Sequence, residues 1–320
     1  MRNLIPKAGA RDAFGDVFPG KTFYVLSTSA GMYPTVANDF RGLSDEGVPV
    51  LHNSLASANT HCVASRGDHI KVLPGHTETL TATLALKAGV TVVCQGGGDM
   101  KPTFTINAAI PGLNITGDDV KWHGGRIIAG SSATAASRLI RVAASDIEFT
   151  GVRFEMGYDM YHMIVTVSGD NIDFDNCQFI NAVTTNASVH PQTAFLNIGG
   201  TNVVVQNSKF HDMDANKAER WRTCVEGGKL TADILVKNCL FICRGVATAT
   251  RSAGASGEMY TIDCRGISPS SNTSVGALFT PTYQYIIQSY NVAAVNKVGV
   301  VTVTTSDLRT KRNVEYLKAA

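Results

Sequence analysis

The sequence predicts an all-β solenoid of stacked coils, and three observations carry that prediction. First, five segments share one register: VKWHGGRI (120–127), IEFTGVRF (147–154), IDFDNCQF (172–179), VVVQNSKF (203–210) and ILVKNCLF (234–241), with starts 27, 25, 31 and 31 residues apart. Apolar residues recur at the first, third and eighth places, and Val152, Cys177, Ser208 and Cys239 put small or apolar side chains at the sixth. Second, another strand-like run precedes each segment: LNIT (113–116), LIRVA (139–143), IVTV (164–167), FLNI (195–198) and TCVE (223–226). Third, the composition suits short strands and tight turns, with 30 Gly and only 17% charged residues. Repeats of this size bury their faces against neighbouring repeats, so a chain of 320 residues grows lengthwise instead of around one core.

Residues 1–50 stand outside the register. Pro6, Gly9, Gly15, Pro19, Gly20, Gly31, Pro34 and Pro49 interrupt them, and only TFYVLST (22–28) reads as a strand. An extended N-terminal arm is expected here, either capping the first coil or ordering on a partner, with Phe23 and Tyr24 as candidate contacts. From 51 to 64, Leu51, Leu55, Ala58 and Cys62 fall at helical spacing and predict a short capping helix. Gly67-Asp68 turns the chain into HIKVL (69–73), and Pro74-Gly75 turns it again. Asp119, Asp146, Asn171, Asn202 and Asp233 close the turn before each register segment, because Asx side chains bond nearby backbone and tolerate left-handed dihedrals. Variable stretches such as INAVTTNASVHPQTA (180–194) and HDMDANKAERWR (211–222) follow the eighth place. The repeat body is expected over 51–267, and 268–320 as a non-repeating β cap or oligomerisation segment.

Gly67, Asp68, Ile70, Val72, Pro74, Gly75 and Thr77, followed by AGVTVVCQGGG (88–98), resemble the opening of the pectate-lyase-like β-helix family. In that family a capping helix leads into GD-x-I-x-V-x-PG and then into coils. The resemblance covers roughly residues 50–267. It implies a single-stranded, right-handed parallel β-helix and leaves activity open, because the fold hosts lyases, hydrolases, adhesins and viral spikes.

Charge and composition narrow the function classes. A net charge of +2 gives no electrostatic support to nucleic-acid binding, and no apolar run approaches a membrane span of about 20 residues. The opening MRNLIPKAGARDAFGD lacks the apolar centre of a signal peptide, so export by the general route is not expected. Seven cysteines are an odd number, and Cys239/Cys243 has no partner pair at zinc spacing. Cys177 and Cys239 share the inward sixth place, so the cysteines read as reduced, structural thiols.

The register also stacks side chains in columns about 4.8 Å apart. At the fifth place Asn176, Asn207 and Asn238 are expected to chain their amides in a structural ladder. Glu148, Asp173 and Asp175, at the second and fourth places, form an acidic patch with Arg153 beside it. No catalytic residue or metal site is expected, but pectate lyases bind calcium through stacked carboxylates and use an arginine as base, so the resemblance leaves Glu148, Asp173, Asp175 and Arg153 as an alternative catalytic set with a weak calcium site. The other reading is a solvated face in which Lys121, Arg126 and Arg153 compensate the acids. Asp212 and Asp214 could offer a glycosidase pair, but the matching places in neighbouring coils, Asn181, Val183, Cys243 and Gly245, supply no supporting acid or base. Trp122 occupies the inward third place. Trp221, between Arg220 and Arg222, suits a sugar platform, a protein contact, or a loop folded back on its coil.

These features together predict a bacteriophage virion protein, made in the host cytoplasm and mounted on the capsid surface. The first expectation is a non-enzymatic decoration protein, a homotrimer that docks on the major capsid protein through its N-terminal arm, without cofactor, nucleic acid or membrane. The alternative is a tail spike, depolymerase or polysaccharide lyase acting on host surface glycan.

Overall fold

The structure, a computed structural model, describes residues 20–45, 47–107, 112–130, 138–156, 163–181, 194–212, 223–227, 233–243, 248–252, 259–268, 284–287 and 290–293. Over these the chain winds as a right-handed parallel β-solenoid whose coils feed three sheets of eleven, nine and seven strands. The runs expected before each register segment build the seven-stranded sheet, for example Arg138–Val142 beside Met163–Val167. The eight-residue register itself is two strands. Ile172–Asp175 joins the eleven-stranded sheet and Gln178–Asn181 the nine-stranded one.

The bend between those strands explains the fifth place. Its backbone is left-handed in coil after coil, with φ of 73° at Gly124, 66° at Gly151, 52° at Asn176 and 51° at Asn207 and Asn238. Only glycine and the short polar Asx residues visit that region cheaply. The turn into the eleven-stranded sheet behaves likewise at Asp119, Asp146, Asn171 and Asn202.

Parallel registry then converts the repeat into core. Phe154, Phe179, Phe210 and Phe241 are successive register partners, with ring centroids 5.0, 4.6 and 4.9 Å apart. Phe149 stacks on Phe174 at 5.1 Å in the neighbouring column. Each fully buried ring contributes about 1.5–3 kcal/mol. Trp122 is buried as expected, and its indole N–H donates to the Gly124 carbonyl at 3.0 Å.

Three boundaries differ from expectation. Thr22–Val25, assigned to the arm, is a parallel strand of the eleven-stranded sheet, between His69–Val72 and Leu51–His52. The chain thus begins its solenoid well before residue 50, and residues 1–19 lie outside the described ones. Gly20 lies so close to the Gly67 turn that a Cβ there would stand 1.9 Å from the Gly67 carbonyl oxygen. The capping helix runs over Leu55–His61 instead of 51–64, because Leu51–His52 is a strand and Ser54 accepts the N–H of Ser57 as an N-cap at 3.1 Å. At the other end, Met259–Ile262 and Arg265–Ser268 form another coil, and Gln284–Ile287 with Tyr290–Ala293 adds one beyond the expected limit of 267. The pattern hid both coils, since Gly266 and Asn291 replace the eighth-place aromatic and Gln284 the first-place apolar residue.

Asp68 joins the cap to the coils. Buried and carboxylate, it accepts the backbone N–H groups of Lys21 and Val63, each at 2.7 Å, and a bidentate pair from Arg66. Burial pushes its pKa up, but Arg66 and the two N–H groups outweigh that and hold it below the ordinary carboxylate value. Glu78 makes a similar tie, accepting the N–H of Leu55 at 2.7 Å while pairing with buried His76 at 3.2 Å. Among the described residues, no helix is long and apolar enough to cross a membrane.

Candidate functional site

The acidic patch forms on the outer face of the eleven-stranded sheet. Lys121, Glu148, Asp173 and Val204 are consecutive register partners, and His123, Thr150, Asp175 and Gln206 make the parallel column two residues on. Period-2 alternation turns both columns outward while Phe149 and Phe174 between them point into the core.

Most of this patch is already bonded. Thr150 Oγ1 donates to Glu148 Oε1 at 2.9 Å, Lys121 Nζ stands 3.7 Å from Glu148 Oε2, and His123 Nδ1 is 4.0 Å from Oε1. Asp175 Oδ1 accepts the side-chain amide of Asn207 at 2.7 Å. Asp173 differs. Its Oδ1 is buried without a hydrogen-bond partner, and burial, then Asp175 and Glu148, push its pKa above the ordinary carboxylate value.

Arg153 does not join the patch. The seventh place lies past the left-handed bend, so its side chain leaves from the nine-stranded sheet. There Arg153 and Arg126, register partners on adjacent coils, both bind Glu155, a buried carboxylate. Arg126 Nη2 reaches Oε1 at 2.6 Å, and Arg153 Nε and Nη2 each reach Oε2 at 2.8 Å. Two guanidiniums on one carboxylate leave a net positive charge, which the partial exposure of both arginines keeps hydrated. The sequence signal was present in R-x-E (153–155), but only the coil-to-coil register reveals that Arg126 shares the acid.

The carboxylates do not fit calcium either. Among the described residues no group of three or more His, Cys, Asp or Glu side chains converges closely enough to hold a metal ion. Calcium needs six to eight oxygens, and the Lys121 and Asn207 contacts already occupy Glu148 and Asp175.

The amide ladder is real but shorter than expected. Asn238 donates to Asn207 at 2.8 Å, and Asn207 then donates to Asp175 instead of Asn176. A second row, read from sequence only as turn formers, runs from Asn202 to Asn171 at 2.8 Å and on to Asp146 at 3.0 Å.

Of the proposed partner contacts, Phe23 is core: it is 2% exposed and packs edge-on against His52 with centroids 5.6 Å apart. Strand alternation puts Phe23 inward and Tyr24 outward. Tyr24 is half-buried against Phe40 at 4.8 Å, with Lys71 Nζ 6.0 Å from its ring centroid, and burial raises its pKa. Trp221, Arg222 and Asp214 lie outside the described residues.

No protein-family model and no curated protein matches this chain. A solved structure that matches is an alginate lyase from Paenibacillus sp. str. FPU-7, at 11% identity over 85% of this chain and 95% of that one, with a TM-score of 0.39. At that level the likeness carries no argument about what this chain does.

Proposed function

We propose that this protein is a non-enzymatic structural component of a bacteriophage virion, a decoration protein that sits on the capsid as a homotrimer and contacts the major capsid protein through residues 1–19. The observation that supports this most is how the candidate catalytic side chains are used. Glu148, Asp175 and Arg153 are each engaged by neighbours on their own or the adjacent coil, which makes them stiffening elements of a rod. Among the described residues, Cys62, Cys94, Cys177, Cys224, Cys239 and Cys264 are not joined in disulfides, which suits folding in a reducing cytoplasm.

The test is co-sedimentation with empty phage heads, full-length protein beside a form lacking residues 1–19. The deletion stops there because Thr22–Val25 is a strand of the sheet. Binding by the full chain that vanishes with the deletion supports the reading. Absence of binding by both overturns it.

One observation favours a glycan-cleaving role instead, as a tail spike, depolymerase or polysaccharide lyase. Asp173, with its raised pKa and partnerless oxygen, stands two residues from Asp175. A carboxyl whose pKa is raised, beside a second carboxylate, is the kind of pair that acid-assisted glycoside cleavage uses. Incubation with host surface glycans would then release oligosaccharides with the wild type and not with Asp173→Asn.

A further inference from the structure

The sixth register place lines the core with one column of small side chains, Val152, Cys177, Ser208, Cys239 and Cys264, all buried. Cys239 and Cys264 occupy it on consecutive coils, since the residues that follow them, Leu240 and Arg265, are register partners. The backbone N–H of Cys239 donates to Cys264 Sγ at 3.5 Å, and the N–H of Arg265 donates to the Cys239 carbonyl at 2.9 Å. Adjacent parallel strands hold such Cα atoms about 4.8 Å apart, inside the range of about 4.4–6.8 Å that a disulfide spans.

We propose that Cys239 and Cys264 form a redox-responsive pair that closes into a disulfide between two coils. The thiols are not equivalent. Hydrogen bonding with Cys239 holds the Cys264 pKa below the ordinary thiol value, while the bond with Cys264 and then burial push Cys239 well above it. By contrast, burial pushes Cys62 and Cys177 up to about 12, where thiolate is scarce. Because the Cys239 N–H donates to Cys264 Sγ and so favours its thiolate, Cys264 is assigned as the nucleophile and Cys239 as the resolving thiol. With a peroxide as oxidant, the Cys264 thiolate attacks one oxygen, the O–O bond breaks, and Cys264 sulfenic acid and hydroxide form. Cys239 sulfur then attacks the sulfenic sulfur and expels the hydroxyl, while its proton neutralises hydroxide. Two thiols and one hydrogen peroxide become one disulfide and two waters.

The pair lies in the core, so reaction waits on opening of these coils. The inference is independent of the role proposed above. It is tested by treating the full-length protein with hydrogen peroxide, counting thiols after denaturation, and mapping peptides without reduction. The expected result is loss of two of the seven thiols, a peptide pair joined through Cys239 and Cys264, and full recovery with dithiothreitol. Cys264→Ser should retain its fold, because Ser208 already occupies the same column and its Oγ accepts the Cys177 N–H at 3.0 Å. That variant should keep its six thiols through the same treatment. Seven thiols surviving in the wild type, a bridge to another cysteine, or sulfinic acid at Cys264 without a bridge would each overturn the proposal.

Discussion

The side-chain amide of Asn207 donates to Asp175 Oδ1 at 2.7 Å while its own Oδ1 accepts from Asn238 at 2.8 Å. The row thus ends on a carboxylate, as the parallel row through Asn202 and Asn171 ends on Asp146. A carboxylate accepts without having to donate, so it terminates a chain of amides with no donor left over. Asn207→Gly should keep the left-handed backbone, lose both bonds, and cost about 1–2 kcal/mol. Asn207→Ala should cost about 1 kcal/mol more, because φ is 51° there. Urea midpoints measure both, and a glycine variant as stable as wild type would show that the row carries no stability.

Asp68 should dominate the stability of the N-terminal cap. Asp68→Ala strands the N–H groups of Lys21 and Val63 and the Arg66 guanidinium, a loss of about 3–5 kcal/mol by analogy with broken buried pairs. Its folded pKa is depressed, so its contribution is complete above the ordinary carboxylate value of about 3.9 and is lost as pH falls through the lower folded value. Thermal unfolding followed from neutral to strongly acid pH should show this loss in wild type and not in the variant.

Asp173 should act with the opposite sign. Its folded pKa is raised, so the stability it contributes is fully present below about 3.9 and lost as pH rises through the folded value. Asp173→Asn should therefore be more stable than wild type at neutral pH, with the gap closing on acidification. A constant gap across that range would mean that Asp173 is not strained.

Phe179 stacks between Phe154 and Phe210 at 5.0 and 4.6 Å. Phe179→Ala should cost about 3–5 kcal/mol, and hydrogen exchange should quicken on the coils either side of it. Phe179→Leu should recover most of the loss.

The site was less legible than the fold. From sequence, Arg153 falls five residues after Glu148 in a register that treats both as outward, and the two looked like neighbours. The left-handed residue at the fifth place separates them onto different sheets, and Glu155 then captures the arginine. Phe23 looked available in a stretch crowded with Gly and Pro, yet pairing with His69–Val72 and Leu51–His52 buries it.

The sequence alone determined the solenoid, its inward column of aromatics and the Asx places at its bends. Those are properties of one coil, set by side-chain alternation and by which residues tolerate a positive φ. The tertiary structure decided what lies between coils: that Asn207 reaches Asp175 and not Asn176, that Arg126 and Arg153 share Glu155, and that Cys239 meets Cys264. Those that cross from coil to coil join residues 25 to 32 positions apart. They depend on rotamers and on the rotation between neighbouring coils, and no periodicity within a coil encodes them.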